Sequence, residues 1–327
     1  MKSMRNKDFI TTQEWDKDQL EALLDLAVSL KAERRAGTLH PLLLFKTLYM
    51  LFFFSSTRTR NSFETGMTQL GGHAVFLTPD KMQLSHGESI KDTVRVLSSY
   101  GDAVAVRQCD YSVGNKVLRE MSQYSSAPII NMQCDVYHPC QALADLMTIR
   151  ENFEPGRRLK LGVAWTSAPN YVRPLSVPQS LILLMPRFGI DVTLAYPAEF
   201  RLQPEIEEQA ARNAAAAGTD FYISHRFEEA FENADVVIPK SWGPLFFTQD
   251  EKKSLSLIDR YPSWVCDEKR MALTKDDSLY MHPLPADRGR EVTDAVIDGP
   301  HSVIYQQAEN RLHVQKALLA HIMGGVE

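Results

Sequence analysis

Residues 159–166 read LKLGVAWT, and the segments that follow set the fold: VPQSLILLMPRFG at 177–189, DVTLAYP at 191–197, PEIEEQAARNAAAAG at 204–218, FYISH at 221–225, FEEAFENA at 227–234 and DVVIPK at 235–240. Short β-rich runs alternate with stretches of helical spacing, the signature of a parallel sheet wrapped by helices. The second half of the chain is therefore expected to be α/β. Toward the N-terminus the same habit appears less cleanly. An amphipathic helix is expected over 16–35, an apolar strand ending near Phe54, a helix from Ser62, and strands over 74–77 and 103–107. A further strand, PIINM at 128–132, leads to a helix over 139–153.

A chain of 327 residues is longer than a single hydrophobic core usually supports, so two domains are expected. Breakers and charges coincide at Glu154-Pro155-Gly156-Arg157-Arg158, which marks the junction. The expectation is an α/β chain of two doubly wound parallel-sheet domains: 1–153, joined by the final helix at 308–323, and 154–307.

Composition excludes several function classes. A hydrophobic content of 44% with 24% charged residues is that of a globular protein, and no apolar run approaches bilayer length. The start lacks a secretory pattern, so a cytoplasmic location is expected. Cys109, Cys134, Cys140 and Cys266 form no CxxC pair, which argues against a zinc knuckle and against a disulfide framework. A net charge of −5 gives no global attraction to nucleic acid or an anionic membrane, so neither is expected as a partner, and any anion must be caught by a local basic cluster.

That cluster is expected after the strand ending near Phe54, where Ser55-Ser56-Thr57-Arg58-Thr59-Arg60 precede a helix. Phosphate binding uses free N–H groups at a helix start, hydroxyl donors, and guanidinium forks that engage two oxygens at once. The same string also serves an ordinary capped helix with solvated arginines. A second signal is His138-Pro139-Cys140-Gln141. Proline suits the first helical position, so His138 falls at the N-cap with Gln141 near the same helix mouth. An imidazole there can donate to a carbonyl oxygen while the glutamine amide accepts from an NH2 group; an isolated His-Pro is otherwise a common capping arrangement. A third is Met281-His282-Pro283-Leu284-Pro285-Ala286-Asp287-Arg288-Gly289, whose prolines stiffen an extended backbone with carbonyls no helix can take up.

These three motifs, in this order, resemble the aspartate/ornithine carbamoyltransferase superfamily, whose members carry an S-T-R-T-R phosphate loop, an H-P-x-Q helix start and an H-[PC]-L-P loop. The resemblance spans essentially the whole chain, including Ala308-Glu309-Asn310-Arg311-Leu312-His313, which is similar to ornithine-type members. It implies carbamoyl phosphate and a small amine-bearing amino-acid derivative as substrates, with no cofactor and no metal. Ser56, Thr57, Arg58 and Thr59 would hold the phosphate, and Arg107, His138 and Gln141 would address phosphate and carbamoyl groups. Leu284 and Arg288 would complete the carbamoyl site, with Arg58, Arg107, His138 and Arg288 as the catalytic set. The family also implies a homotrimer or a multiple of trimers, in which a loop resembling the one at Ser85, His86 and Glu88 closes over a neighbour's phosphate.

For the acceptor, ornithine-using relatives show Asp-x-x-x-Ser-Met-Gly where this chain has Ile238-Pro239-Lys240-Ser241-Trp242-Gly243. An ammonium at Lys240 in place of a carboxylate disfavours a free α-ammonium and favours a carboxylate or acyl oxygen. The K-S-W-G string and the Trp165-Thr166-Ser167-Ala168-Pro169 loop are similar to N-acetylornithine carbamoyltransferases, in which a proline-rich loop forms a backbone knot. Pro169, Pro174 and Pro178 would lie on that loop. The acceptor set is then Lys240, Ser241, Trp242, Asp135 and Leu284, and arginine biosynthesis is the implied setting. Pro283, where that subgroup has cysteine, and the HGES loop depart from its pattern, so ornithine or another amine stands as the alternative acceptor. Two other classes stay open: a dinucleotide-binding oxidoreductase, which lacks the glycine-rich turn it would need after 159–165, and a binding protein that keeps the fold without turnover.

Overall fold

The computed structural model describes residues 3–170 and 173–326. It divides into two compact units, Met1–Met147 with Ala308–Glu327, and Thr148–Gln307.

In the first unit, helix α1 (Lys17–Arg35) opens on a reciprocal cap: the Asp16 side chain accepts from the Gln19 N–H, and the Gln19 side chain from the Asp16 N–H. The chain continues through β1 (Thr47–Phe52), α2 (Arg58–Gln69), β2 (His73–Leu77), α3 (Ile90–Tyr100), β3 (Ala103–Gln108), α4 (Gly114–Tyr124), β4 (Ile129–Cys134) and α5 (Pro139–Asn152). The four strands pair in parallel in the order β2-β1-β3-β4. Every residue of β4 is buried, as a strand covered on both faces requires. Leu51, Val94, Val104, Val106, Leu118 and Ile129 build one side of the core.

Strand order reverses between β1 and β3, whose last pair is Phe52 with Arg107. In open α/β sheets such a switch point leaves a crevice beyond the strand ends, the usual place for a ligand. The S-T-R-T-R string therefore emerges at that place. One expectation is corrected here: α2 begins at Arg58 rather than Ser62. Nothing in the string opposes helix, and the Asn61 side-chain amide donates to the Thr57 carbonyl at 2.6 Å, so the arginines form the helix's first turn.

The second unit runs β5 (Leu159–Trp165), α6 (Ser176–Leu184), β6 (Ile190–Ala195), α7 (Pro204–Ala217), β7 (Phe221–Ser224), β8 (Val236–Lys240), α8 (Glu251–Ile258), α9 (Glu268–Met271), β9 (Leu279–Tyr280) and α10 (Asp294–Ile297). Its sheet is parallel, ordered β7-β6-β5-β8-β9, and its switch point lies between β5 and β8, where Trp165 pairs with Lys240. FEEAFENA gives only a 3-10 turn, Phe227–Ala230, not the expected helix. The Ala230 carbonyl packs directly over Gly162 of β5, and Asn233 then reverses the chain with φ 54°. Pro178 lies in the first turn of α6, not in a loop. The remaining stretch expected to carry the knot passes through residues 171–172, outside the described residues. The last helix, α11 (Ile304–Ile322), starts in the second unit and continues into the first. Among the described residues no helix is long and apolar enough to cross a membrane, and the four cysteines are free thiols.

Candidate active site

In the first unit the ends of β1 and β3, the start of α2, the start of α5 and the first-unit part of α11 supply one cluster of side chains. Thr59, in the first turn of α2, is buried, and its Oγ1 accepts from Arg107 Nη1 at 3.2 Å and from Arg311 Nη2 at 2.5 Å. Two guanidinium donors take up the acceptor capacity of that oxygen, so the Thr59 O–H is left to point outward as a donor. Thr57 holds the N-cap position without capping through its side chain, which leaves the first N–H groups of α2 without an intrahelical partner. Arg58 lies beside them, half-buried. Arg60, two residues on and therefore on another face of the helix, stacks over Phe76 at 3.6 Å and pairs with Glu64.

The electrostatics of this cluster are unbalanced. Among the described residues no carboxylate lies within ion-pair distance of Arg58, Arg107 or Arg311, and the Nε of each is buried without a partner. Burial first, and then Arg107 and Arg58, pull Arg311 down to about 10. Burial and Arg107 lower Arg58 in the same way, and burial lowers Arg107. His138, at the N-cap position of α5, is held well below its ordinary value by burial and by the three guanidiniums, so its imidazole is neutral at pH 7. Each group would be relieved by an anion. Beside His138, the Gln141 amide nitrogen donates to Asp145 at 2.7 Å, and its Oε1 is buried with no partner among the described residues.

In the second unit, the end of β8 meets the loop after β9. Glu291 is fully buried and accepts from the Ser241 N–H at 2.7 Å, the Ser241 hydroxyl at 2.6 Å, the Asp287 N–H at 2.7 Å and the Lys240 ammonium at 3.2 Å. Burial alone would raise Glu291, but Lys240 and His282 outweigh it and hold the carboxyl well below its usual range. Leu284 adopts φ 54°, a strained conformation for a leucine, with its N–H donating to His282 Nδ1 at 2.9 Å. Among the described residues no donor meets the Leu284 carbonyl. Arg173 is bound to Asp287. No group of three or more His, Cys, Asp or Glu side chains among the described residues is placed to hold a metal ion.

Comparison with known proteins settles the lineage. The profile described as aspartate/ornithine carbamoyltransferase, carbamoyl-P binding domain, matches residues 7–151, and its companion, the Asp/Orn binding domain, matches 174–322. The chain belongs to the aspartate/ornithine carbamoyltransferase family. It is 39% identical to the ornithine carbamoyltransferase of Halalkalibacterium halodurans over 99% of this chain and 97% of that one. Among solved structures, ornithine carbamoyltransferase from Pyrococcus furiosus superposes with TM-score 0.90 at 36% identity, covering 100% of both chains. Acetylornithine transcarbamylase complexed with acetylcitrulline superposes with TM-score 0.89 at 37% identity, covering 96% of this chain and 98% of that one.

For this carbamoyltransferase, the residues singled out from sequence divide into those that meet and those otherwise engaged. Arg58, Thr59, Arg107, His138 and Gln141 share the first-unit cluster, with Ser56 and Thr57 at its helix mouth. Arg288, expected in the catalytic set, is 43% exposed and its fork is filled by Asp294 and Asp298 at 2.5 to 2.8 Å. The guanidinium that sequence reasoning passed over is Arg311, 4% exposed and bound to Thr59. Its signal was an arginine inside the otherwise buried face of the last helix. Lys240, expected among the acceptor residues, has its ammonium paired with Glu291 at 3.2 Å. Trp242, also expected there, is only 1% exposed and donates its indole N–H to the Phe200 carbonyl at 2.6 Å. Asp135 accepts from the N–H groups of Ser112 and Asn115 at 2.8 and 2.7 Å, tying down the start of α4. Ser85, His86 and Glu88 form an exposed tip in which Glu88 accepts from Thr93 at 2.6 Å, and Ser89 caps α3.

Proposed function

We propose that the chain transfers the carbamoyl group of carbamoyl phosphate to the side-chain amine of an ornithine-type acceptor, N-acetyl-L-ornithine foremost, giving a ureido product and phosphate within arginine biosynthesis. The observation that carries the donor half is the convergence of Arg107 and Arg311 on Thr59 beside the first turn of α2, with no carboxylate among the described residues within ion-pair distance of either. Ser56, Thr57, Arg58 and Thr59 bind the phosphoryl oxygens through backbone N–H, hydroxyl and guanidinium donors. The neutral His138, with Arg107 and Arg311, addresses the carbonyl oxygen.

The acceptor nitrogen attacks the carbonyl carbon and forms the C–N bond. A tetrahedral oxyanion develops against the His138 and guanidinium donors, and the C–O bond to phosphate then breaks. An alkylamine with a pKa of about 10.4 must first shed a proton, at a cost of about 4 to 5 kcal/mol near neutral pH. That proton goes to solvent, and we assign the departing phosphate as the base for the second proton, which the nitrogen loses once the C–N bond has formed. Holding the two substrates together lowers the barrier by roughly 7 to 11 kcal/mol.

Support for an N-acylated acceptor comes from the end of β8. A free α-ammonium asks for a carboxylate, and Glu291 at that strand end is already saturated by Lys240, Ser241 and Asp287. A neutral acylated nitrogen asks for none. We assign the exposed tip at Ser85, His86 and Glu88 to a neighbour's site in a trimer. The test is a colorimetric ureido assay with carbamoyl phosphate and N-acetylornithine, N-succinylornithine, ornithine, putrescine or aspartate. Turnover with an N-acyl ornithine well above that with ornithine is expected. Ornithine as the best substrate would overturn the acceptor assignment, and no ureido product from any amine would overturn the reaction.

A further inference from the structure

We infer that Asp145 is a specificity-determining positioning residue: by fixing the orientation of the Gln141 amide, it makes the site demand an NH2 group on the carbonyl of its phosphorylated substrate. The inference rests on the proposed binding of carbamoyl phosphate in the first unit. Gln141 and Asp145 lie one turn apart on α5, 1% and 0% exposed, and the Gln141 Nε2 donates to Asp145 Oδ1 at 2.7 Å. A primary amide can be turned end for end with almost no change of shape, which would exchange an acceptor for a donor. A carboxylate only accepts, so it admits the amide in one sense, with Nε2 facing it.

The consequence is visible at the other end. Gln141 Oε1 is buried and has no hydrogen-bond partner among the described residues. An unmet buried acceptor costs free energy that only a donor can return. The guanidiniums on the same cluster supply donors only, so they recognise phosphate and carbonyl oxygens alike in carbamoyl and acetyl compounds. Gln141 Oε1 is thus an acceptor, held in one orientation by Asp145, that can separate –C(=O)NH2 from –C(=O)CH3. Sites whose buried polar groups are left unpaired by an analogue reject it strongly. Asp145 does not need to touch the ligand to set that discrimination.

The test compares two stable phosphonates that share every oxygen, phosphonoacetamide and phosphonoacetone, titrated calorimetrically into the full chain. The parent should bind the amide at least about tenfold more tightly, the discrimination expected of one buried hydrogen bond. In Asp145→Asn the neighbour can either donate or accept, so Gln141 is free to turn. The ratio should then fall to within about twofold of unity while phosphonoacetone affinity changes little. Asp145→Ser gives a second reading should the asparagine variant fail to fold. An equal loss for both phosphonates with the ratio preserved would show a merely structural role and sink the inference alone. A parent that binds neither phosphonate and forms no ureido product would remove the proposed reaction as well.

Discussion

Arg311 and Arg288 are both arginines late in the chain, and only their surroundings tell them apart. Arg311 is buried against Thr59 with no carboxylate among the described residues in ion-pair contact, whereas Arg288 is exposed and held by two aspartates. Arg311→Ala should therefore lower kcat/KM for carbamoyl phosphate by roughly 10²-fold or more, the usual consequence of deleting one preorganised donor. Arg288→Ala should stay within a few-fold of the parent. Steady-state kinetics on the two variants checks the assignment, and the reverse ranking would contradict it. Sequence could not make this distinction. The S-T-R-T-R and H-P-x-Q strings announce themselves because their donors are consecutive, but Arg311 reaches Thr59 from 252 residues away. The pairing of Lys240 is hidden for the same reason: its charge is plain in the sequence, while its counter-charge, Glu291, is 51 residues distant.

At the scale of elements, the sheets were largely legible because apolar runs and breakers are local signals. Strands near 74–77, 103–107, 128–132 and 159–166 appear close to their expected bounds. The failures were local conflicts that tertiary packing resolved. FEEAFENA has helical spacing, yet the Ala230 carbonyl must lie flat over Gly162. A Cβ at Gly162 would fall 1.8 Å from that oxygen. Neither backbone can yield without disturbing the β5–β6 or β5–β8 pairing, so Gly162→Ala should cost about 1 to 3 kcal/mol through overpacking. Differential scanning calorimetry should show the lowered midpoint, and an unchanged one would mean that the turn is free to shift. The start of α2 shows the opposite case, where a string expected to precede a helix is its first turn and its N–H groups are presented with the side chains.

Across the whole molecule, several histidines sit in places that disfavour charge. Burial is the leading cause of depression for His138, His282, His313 and His321, with His313 lowered to about 4. In the unfolded chain a histidine takes up its proton near pH 6.5. Below that pH the unfolded chain binds more protons than the native one, so stability must fall as pH falls. The loss approaches about 1.4 kcal/mol per pH unit for each such group. Thermal midpoints at pH 7.5, 6.0 and 5.0 should decline in that order, and a flat profile would mean that these imidazoles are not held neutral.

A stronger demand concerns the basic cluster itself, where, among the described residues, no carboxylate lies within ion-pair distance of the guanidiniums and the proposed ligand is a dianion. Replacing Arg58 with alanine and measuring ureido formation with saturating acceptor tests this most directly. A fall of roughly 10²-fold or more is predicted, because the charge-assisted bonds of that fork are lost where phosphate is held and released. Turnover within a few-fold of the parent would contradict the phosphate site and everything built on it.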